Sequence, residues 1–476
     1  MTEAMTGGRL APARVPLATK LAYGVGSVAY GIKDNGFSTL LLLFYNQVVG
    51  LPAQMVGLAV MIALVVDAFA DPLIGHLSDN TRSRWGRRHP FLYASALPVG
   101  ALYLLLWNPP RGDDAVTLAY LLVVAILVRT AISCYEVPSS ALAPELSPDY
   151  HERTSILGYR YLFGWAGGMG MLLLTFGVFL APTAQYPVGQ LNPQGYRAYA
   201  VVAAVLMVAA ILASALGTHR RVARLPAAPT ARGTARGSLR ALRNRNFLVL
   251  IGAGVFANTA QGLNFALTTY LYTYLWRFPS SVLLIYTLAV MVGVAVGFLI
   301  ATQVSRRLGK RNTAIAFLLL AIPAISAPYV LNALGWFPSR DSLLLLPLLL
   351  ASTLVATALG VGVAILAESM MSDVVEDAQA RSGERTEGVF FAGSFFMKKS
   401  VSGIGIFLSG ALLAVVGFPK SAAPGGVPDI VLDRLALSYV GLVSVCGLLA
   451  ALVLARFAIT KASHEERLAQ LGGSSV

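Results

Sequence analysis

Apolar residues run through this chain in long, nearly unbroken stretches, with few signs of strand alternation or of the narrow apolar stripe typical of a soluble helix. Twelve such stretches can be marked, most of them about 20 residues or longer, the length that an α-helix needs to cross a bilayer. We predict helices over residues 21–49, 54–78, 90–107, 115–142, 155–180, 199–216, 246–275, 280–304, 312–331, 342–371, 389–416 and 435–459.

Composition supports a membrane protein over a soluble one. Of the 476 residues, 56% are hydrophobic and only 12% are charged, whereas about a quarter is charged in a typical soluble domain. The fold class we predict is therefore all-α and polytopic. The two cysteines lie within apolar stretches, which excludes a disulfide scaffold. Residues 1–19 contain no apolar core, so we expect no cleavable signal peptide.

An arginine-rich break divides the twelve stretches into two sets of six. Residues 218–245 hold eight arginines and no acidic residue, as expected of a cytoplasmic linker. The predicted organisation is a tail (1–20), a six-helix bundle (21–217), the linker (218–245), a second bundle (246–460) and a second tail (461–476). The net charge of +14 thus reflects membrane orientation, with both termini cytoplasmic, and not a nucleic-acid partner.

A basic turn occurs at matching places in the two sets. Residues 83–88 follow the second stretch and residues 305–311 follow the eighth, which indicates the internal duplication seen in many transporters. Twelve helices in two six-helix halves with this repeated turn resemble the major facilitator superfamily. The turns could act only as topology signals. The sharper hypothesis is a conformational latch in which Asp79 pairs with Arg84, Arg87 and Arg88.

Ionisable residues inside the apolar stretches are the main functional candidates. Asp67 and Asp71 lie four residues apart on one helical face. Each carboxylate costs about 2.5–3.5 kcal/mol in hydrocarbon even on the lenient insertion scale, so such groups usually line a shared aqueous cavity. The other ionisable residues within the apolar stretches are Lys33, Asp34, Arg129, Glu136, Arg160, Glu368, Lys398 and Lys399.

Simpler explanations exist for several of these residues. Asp67 and Asp71 could form a static ion pair with Arg129 that only fixes helix packing. Arg160 could be an interfacial anchor, and Glu368 fits an interfacial position better than a ligand position. Lys33 could be structural, paired with Asp67 or Asp71.

Motifs for other chemistries are absent from the sequence. It contains no P-loop for ATP and no His-Glu-x-x-His or Gly-x-Ser-x-Gly motif for hydrolysis. The five histidines are scattered. We therefore expect neither an enzyme nor a resident metal or cofactor, and the only ion we expect is a coupling proton or sodium ion.

Two motifs give a more specific resemblance. Residues 67–75 followed by 81–88 form one, and residues 383–388 leading to Lys399 form the other. From about residue 20 to residue 457 the chain resembles the glycoside–pentoside–hexuronide:cation symporter family, of which the melibiose permease is a member. The resemblance implies that Asp67 and Asp71 are coupling-cation carboxylates, with Ser133 in place of a threonine beside them. It also implies a substrate site formed by Asp34, Glu136, Arg160 and Lys399, with Lys33 adjacent.

Departures from that family's pattern modify the expectation. Ala70 replaces an asparagine associated with sodium use, which favours a proton. Ser140 replaces a tryptophan that lies against the sugar, which argues against a galactoside. Arg129 stands where the melibiose carrier has a glycine, so its guanidinium could take the place of a bound metal ion.

We therefore expect a secondary symporter for a sugar or glycoside, coupled to a proton more readily than to sodium. It would lie in the bilayer of a bacterial inner membrane, with a small solute and a cation as its partners. One alternative is a carrier of lysolipids or other amphipathic solutes. Another, from a different class, is a membrane sensor or scaffold that transports nothing.

Overall fold

All the regular elements in the described part of the chain are helices. The computed structural model describes residues 15–110, 112–147, 149–222, 243–382, 387–423 and 425–459. The long helices are α1 (residues 17–49), α2 (Ala53–Asn80), α3 (His89–Leu106), α4 (Asp114–Ser140), α5 (Tyr150–Leu174), α6 (Pro193–Val222), α7 (Arg245–Tyr270), α8 (Ser280–Leu308), α9 (Lys310–Ala333), α10 (Leu345–Ser382), α11 (Glu387–Val415) and α12 (Asp429–Leu454).

Helix α1 is built from several short helical segments. Within the described residues, eleven helices are long and apolar enough to cross a membrane, and they correspond to α2–α12. In α1, consecutive α-helical segments alternate with π-helical segments at Gly36–Leu40 and Phe44–Val49. Short π-helical segments also extend α5 at Thr175–Phe179 and α7 at Leu271–Leu275. Such segments are rare and often occur at functional sites.

The predicted fold class is confirmed, with differences at helix ends. Helix α10 runs to Ser382 although its apolar stretch ends near residue 371, because a helix can continue into water where polar contacts support it. One such contact is the ion pair between Lys310 and Asp373, at 2.6 Å. Residues 218–222 of the predicted linker continue α6. Residues 1–14 of the first predicted tail, the whole of the second, and residues 223–242 and 383–386 lie outside the described residues.

The two halves meet most closely between α2 and α11. Gly57 faces the backbone of Phe407, and Gly403 faces the backbone of Met61; a Cβ added at either glycine would lie 3.0 to 3.1 Å from that backbone. Small residues of this kind let two membrane helices approach closely. The pairing brings α2, which carries Asp67 and Asp71, against the helix that carries Lys399.

A polar network closes one end of the molecule, the end away from the α2–α3 turn. Gln47 of α1 accepts from the hydroxyl of Tyr274 at 2.9 Å and from the backbone N–H of Ala422 at 2.8 Å. Tyr270 donates to Asn46 at 3.0 Å. These bonds join the first half to the second, so the halves are sealed at this end.

Helices α1 and α5 touch through glycines at the level of the charged residues. A Cβ added at Gly31 would overlap the carbonyl oxygen of Gly164 and press on the backbone of Gly168. Neither backbone can yield without moving a helix. Gly31 therefore sets the distance between the helix that carries Lys33 and Asp34 and the helix that carries Arg160.

Replacing Gly31 with alanine is expected to destabilise the protein by about 1–3 kcal/mol, the usual range for overpacking. The matched control is Gly170→Ala, at a helical site where an added Cβ meets nothing within 4 Å. There the better helix propensity of alanine, worth about 1 kcal/mol, should leave stability unchanged or raised. Melting temperatures of the two purified variants in detergent test the difference, and equal values would contradict the proposed close approach.

Candidate functional site

Asp67 is held by three side chains, two from the first half and one from the second. Its Oδ1 accepts from Ser133 at 2.7 Å, and its Oδ2 accepts from Arg129 through Nε at 3.1 Å and Nη2 at 2.8 Å. Lys399 Nζ lies 3.3 Å from the same Oδ2. Arg129 and Ser133 are one helical turn apart on α4 and therefore share a face. Asp67 is only 1% exposed, so its charge is neutralised inside the protein.

Asp71 is bound less completely than Asp67. Its Oδ2 accepts from Lys399 at 2.6 Å, while its buried Oδ1 has no hydrogen-bond partner among the described residues. Lys399 also approaches Glu136 at 3.9 Å. A single ammonium group from the second half thus contacts three acids of the first.

The remaining predicted substrate residues lie on the inner faces of α1, α4 and α5. Arg160 donates to Ser139 at 3.0 Å and lies 3.9 Å from the carboxylate of Glu136. It therefore points into the bundle and not towards a membrane interface. Of these residues, Asp34 is the one most accessible to solvent. Its side chain is 52% exposed although it lies in the middle of α1.

Lys33 does not pair with Asp67 or Asp71. Its ammonium lies 3.8 Å from Asp34 and 4.4 Å from the centre of the Tyr30 ring. The residue is fully buried, and Nζ has no hydrogen-bond partner within the described residues. Glu368, which was also predicted to be interfacial, forms an ion pair with Lys398 of the same half.

The formal charges of this cluster balance without an added ion. Its acids are Asp34, Asp67, Asp71 and Glu136, and its bases are Lys33, Arg129, Arg160 and Lys399. Ion pairs connect six of these residues, while Lys33 and Asp34 form a separate pair. With Arg129 left out, the bases would number one fewer than the acids. The Arg129 guanidinium therefore provides one of the four positive charges that balance the four acids.

Three of the predicted latch residues form a network with Glu145 within the first half. Arg88 pairs with Asp79 at 3.2 Å and with Glu145 at 3.3 Å, and Arg87 pairs with Glu145 at 2.5 Å. Arg84 instead lies over the ring of Trp85, at 5.3 Å from its centre. The network ties the α2–α3 turn to the short helix Ala143–Leu146 after α4.

Some participants were missed by sequence reasoning. Glu145 lies outside the apolar stretches, where an acidic residue carries no signal of its own. Its counterpart in the second half is Asp373, which pairs with Lys310 of the repeated turn. The duplicated turn was therefore a usable signal, because each copy binds an acid just beyond the second apolar stretch that follows it. The second family-like motif, at residues 383–388, lies largely outside the described residues.

A family model described as MFS/sugar transport protein matches residues 22–461. The chain belongs to this family. The match covers both halves of this MFS transporter, as the resemblance to the symporter family predicted. Its relatives and structural neighbours are transporters, so the protein is a transporter and not an enzyme.

Named relatives agree with this placement. The isoprimeverose transporter of Lactiplantibacillus pentosus is 26% identical over 412 residues, covering 86% of this chain and 82% of the relative. An uncharacterized symporter of Synechocystis sp. is 35% identical over 213 residues, which span 44% of this chain but only 38% of that protein. A sodium-dependent lysophosphatidylcholine symporter of Gallus gallus is 24% identical, over 85% of this chain and 80% of the relative.

Solved structures support the same fold. The inward-open xylose transporter XylE from E. coli superposes with a TM-score of 0.62 at 15% identity, covering 95% of this chain and 98% of that one. Likeness at this identity shows the fold alone. Together with the symporter relatives, it makes the chain an integral membrane protein and a cation-coupled MFS transporter.

Proposed function

We propose that this MFS transporter is a proton-coupled symporter for a sugar or glycoside that works by alternating access. The observation that carries the proposal is the Arg129–Asp67 ion pair, at 2.8 Å in the protein interior. Both oxygens of Asp67 are already bound, by Ser133 on one side and by Arg129 and Lys399 on the other. A sodium ion here would need to displace a resident cation.

Asp71 supplies the place for a proton. Its Oδ1 lacks a partner in the described structure, and its other oxygen faces Lys399. Protonation of Asp71 would remove the charge that holds Lys399. The released ammonium would then bind Glu136 and the substrate more strongly, because an uncompensated charge in a closed cavity costs several kcal/mol. Proton and substrate would thus bind cooperatively.

The substrate side suits a polyhydroxylated solute. Asp34 and Glu136 offer carboxylate oxygens to hydroxyl donors, and Arg160 offers guanidinium N–H groups to hydroxyl acceptors. Asp34 is exposed inside the bundle, which makes it the first group that a solute would meet. Lys399 also belongs to the proposed substrate site, because its ammonium lies 3.9 Å from Glu136.

We further propose that both termini face the cytoplasm of a bacterial cell and that the protein lies in the inner membrane. The arginine-rich turns support this orientation. The end sealed by Gln47 and Tyr274 would then face outward, and the state described here would be inward-facing. The network around Glu145 would then lie at the cytoplasmic end. Its pairs are already formed in this state, so it would hold the α2–α3 turn against the short helix after α4.

A counterflow screen tests the substrate class. Proteoliposomes are preloaded with a single sugar or glycoside, and uptake of the same labelled compound is measured at equal concentration on both sides. For at least one compound, the initial uptake rate should exceed that of protein-free liposomes at least tenfold. Lysophosphatidylcholine, the substrate in the name of the Gallus gallus relative, should not compete. Competition by the lysolipid alone would favour the amphipathic alternative, and absence of any flux would favour a sensor or scaffold.

A further inference from the structure

Two glutamines of the first half bind backbone groups of the second half at the sealed end. Gln47 accepts from the backbone N–H of Ala422 at 2.8 Å, and its amide donates to the carbonyl of Pro419 at 3.1 Å. Gln190, in the turn between α5 and α6, donates to the carbonyl of Phe278 at 3.1 Å. Both glutamine side chains are buried. Because a buried amide left without a partner is costly, these bonds favour the closed seal.

Each glutamine binds a residue that directly follows a strained one. Arg277 precedes Phe278 and has a φ of 56°, and Ser421 precedes Ala422 and has a φ of 47°. In this left-handed region a side chain is crowded by its own backbone, so glycine usually occupies it. Every other residue with positive φ in the described part of the chain is a glycine. The two exceptions therefore coincide with contacts between the halves.

The turn after α7 does not need a strained residue to end the helix. The N–H of Phe278 donates to the carbonyl of Tyr272 at 2.9 Å, as in a Schellman motif, where the left-handed position is usually glycine. At the same end of the molecule, α1 and α11 are followed by glycines with positive φ, Gly50 and Gly417. Glycine relieves the strain in those two turns, whereas the turn after α7 has Arg277 in the corresponding place.

Burial of the side chain does not explain either strained residue. Arg277 and Ser421 are both exposed. One of the bonds that hold each backbone comes from the other half, through Phe278 or Ala422. Separation of the halves at this end would break that bond and free the turn to take an ordinary conformation. Since the strain of one turn is comparable with the net contribution of one or two hydrogen bonds, its relief would offset part of the cost of opening.

We propose that Arg277 and Ser421 set how easily the sealed end opens, because their backbones are strained while the seal is closed and relax when the halves separate there. The inference rests on the alternating access of the proposed function, but not on its substrate or its coupling ion. Two states are both populated only when they lie close in free energy. Strain in the closed seal brings the open state closer, and a seal without strain would hold the transporter in one state.

Distances between spin labels across the sealed end test this inference. The labels are attached at Gln185→Cys in the first half and Ser339→Cys in the second, both at exposed loop positions. The natural cysteines, Cys134 and Cys446, are replaced by alanine, and the full-length protein is reconstituted in nanodiscs. Pulsed electron spin resonance then gives the ratio of the short, closed distance to the long, open distance. No substrate is added, so the result does not depend on whether the protein carries a sugar.

The decisive comparison is between glycine and alanine at the strained positions. Arg277→Gly and Ser421→Gly remove the strain. Arg277→Ala and Ser421→Ala are the matched controls, because alanine removes the rest of the side chain but keeps the crowded Cβ. Each glycine variant should raise the closed-to-open ratio about tenfold over its alanine control, the factor that corresponds to the cost of a left-handed side chain. The double glycine variant should raise the ratio about a hundredfold, if the two turns act independently.

A weakened seal keeps both distances within the measurable range. Gln47→Leu removes the bond to Ala422 and should lower the closed-to-open ratio, and adding Arg277→Gly should raise the ratio again, because Gln190 still holds the other turn. Equal ratios for the glycine and alanine variants, in the wild-type and Gln47→Leu backgrounds alike, would overturn the inference. So would a single distance, short or long, in both backgrounds, since a strained seal must leave both states populated.

Discussion

Replacing Asp71 with asparagine is expected to abolish uphill accumulation of substrate while leaving exchange at equal concentrations. Asparagine keeps the shape of the side chain but cannot gain or lose a proton, so it fixes the state in which Lys399 is released. In the wild-type protein the Asp71 carboxylate accepts from Lys399 at 2.6 Å. Accumulation driven by a pH gradient should fall at least tenfold, and counterflow should stay within about threefold of wild type.

Asp114→Asn provides the control for this experiment. Asp114 also pairs with a lysine, Lys420, at 2.8 Å, but both side chains are exposed, and exposed pairs contribute about 0–1 kcal/mol. That variant should accumulate substrate as wild type does. Wild-type accumulation by Asp71→Asn would show that the coupling proton binds elsewhere.

Replacing Arg129 with alanine is expected to have the second large effect, creating a response to sodium. The change leaves the Asp67 carboxylate buried without its main partner, a defect that typically costs about 3–5 kcal/mol. Sodium could then occupy the vacated space beside Asp67, Asp71 and Ser133. The purified variant should melt well below wild type in potassium chloride and regain much of the loss in sodium chloride, because a ligand that binds the folded state stabilises it.

The double variant Asp67→Asn/Arg129→Ala separates charge from packing. Removing both charges should restore stability without sodium and should remove the sodium response. Wild-type protein should melt at the same temperature in both salts. A sodium-stabilised wild type, or an Arg129→Ala variant indifferent to sodium, would contradict the view that the guanidinium takes the place of a metal ion.

The helices could be predicted because membrane spans depend on a single local property. Apolar length alone located each of the twelve, including the extension of α7 to residue 275. It did not reveal the π-helical segments of α1, because an unbroken apolar stretch does not mark where a helical turn takes an extra residue. Gln47 and Tyr274 at the sealed end carry no charge and gave no signal.

The convergence of charged side chains was predictable, but their pairing was not. Burial cost indicated that acids and bases would come together, and most of them do, whereas Glu368 and Lys398 pair apart from the rest in the second half. Whether Arg129 would reach Asp67 or Asp71 depends on helix rotation and depth, which sequence spacing does not fix. The structure pairs Arg129 with Asp67 and leaves Asp71 to Lys399.

The most direct test of the central claim compares two driving forces on wild-type protein in proteoliposomes. For the best substrate of the counterflow screen, accumulation is measured with an inward proton gradient in sodium-free buffer and with an inward sodium gradient at equal pH. The account predicts accumulation of at least tenfold in the first condition and none above equilibrium in the second. Accumulation driven by sodium alone would contradict it.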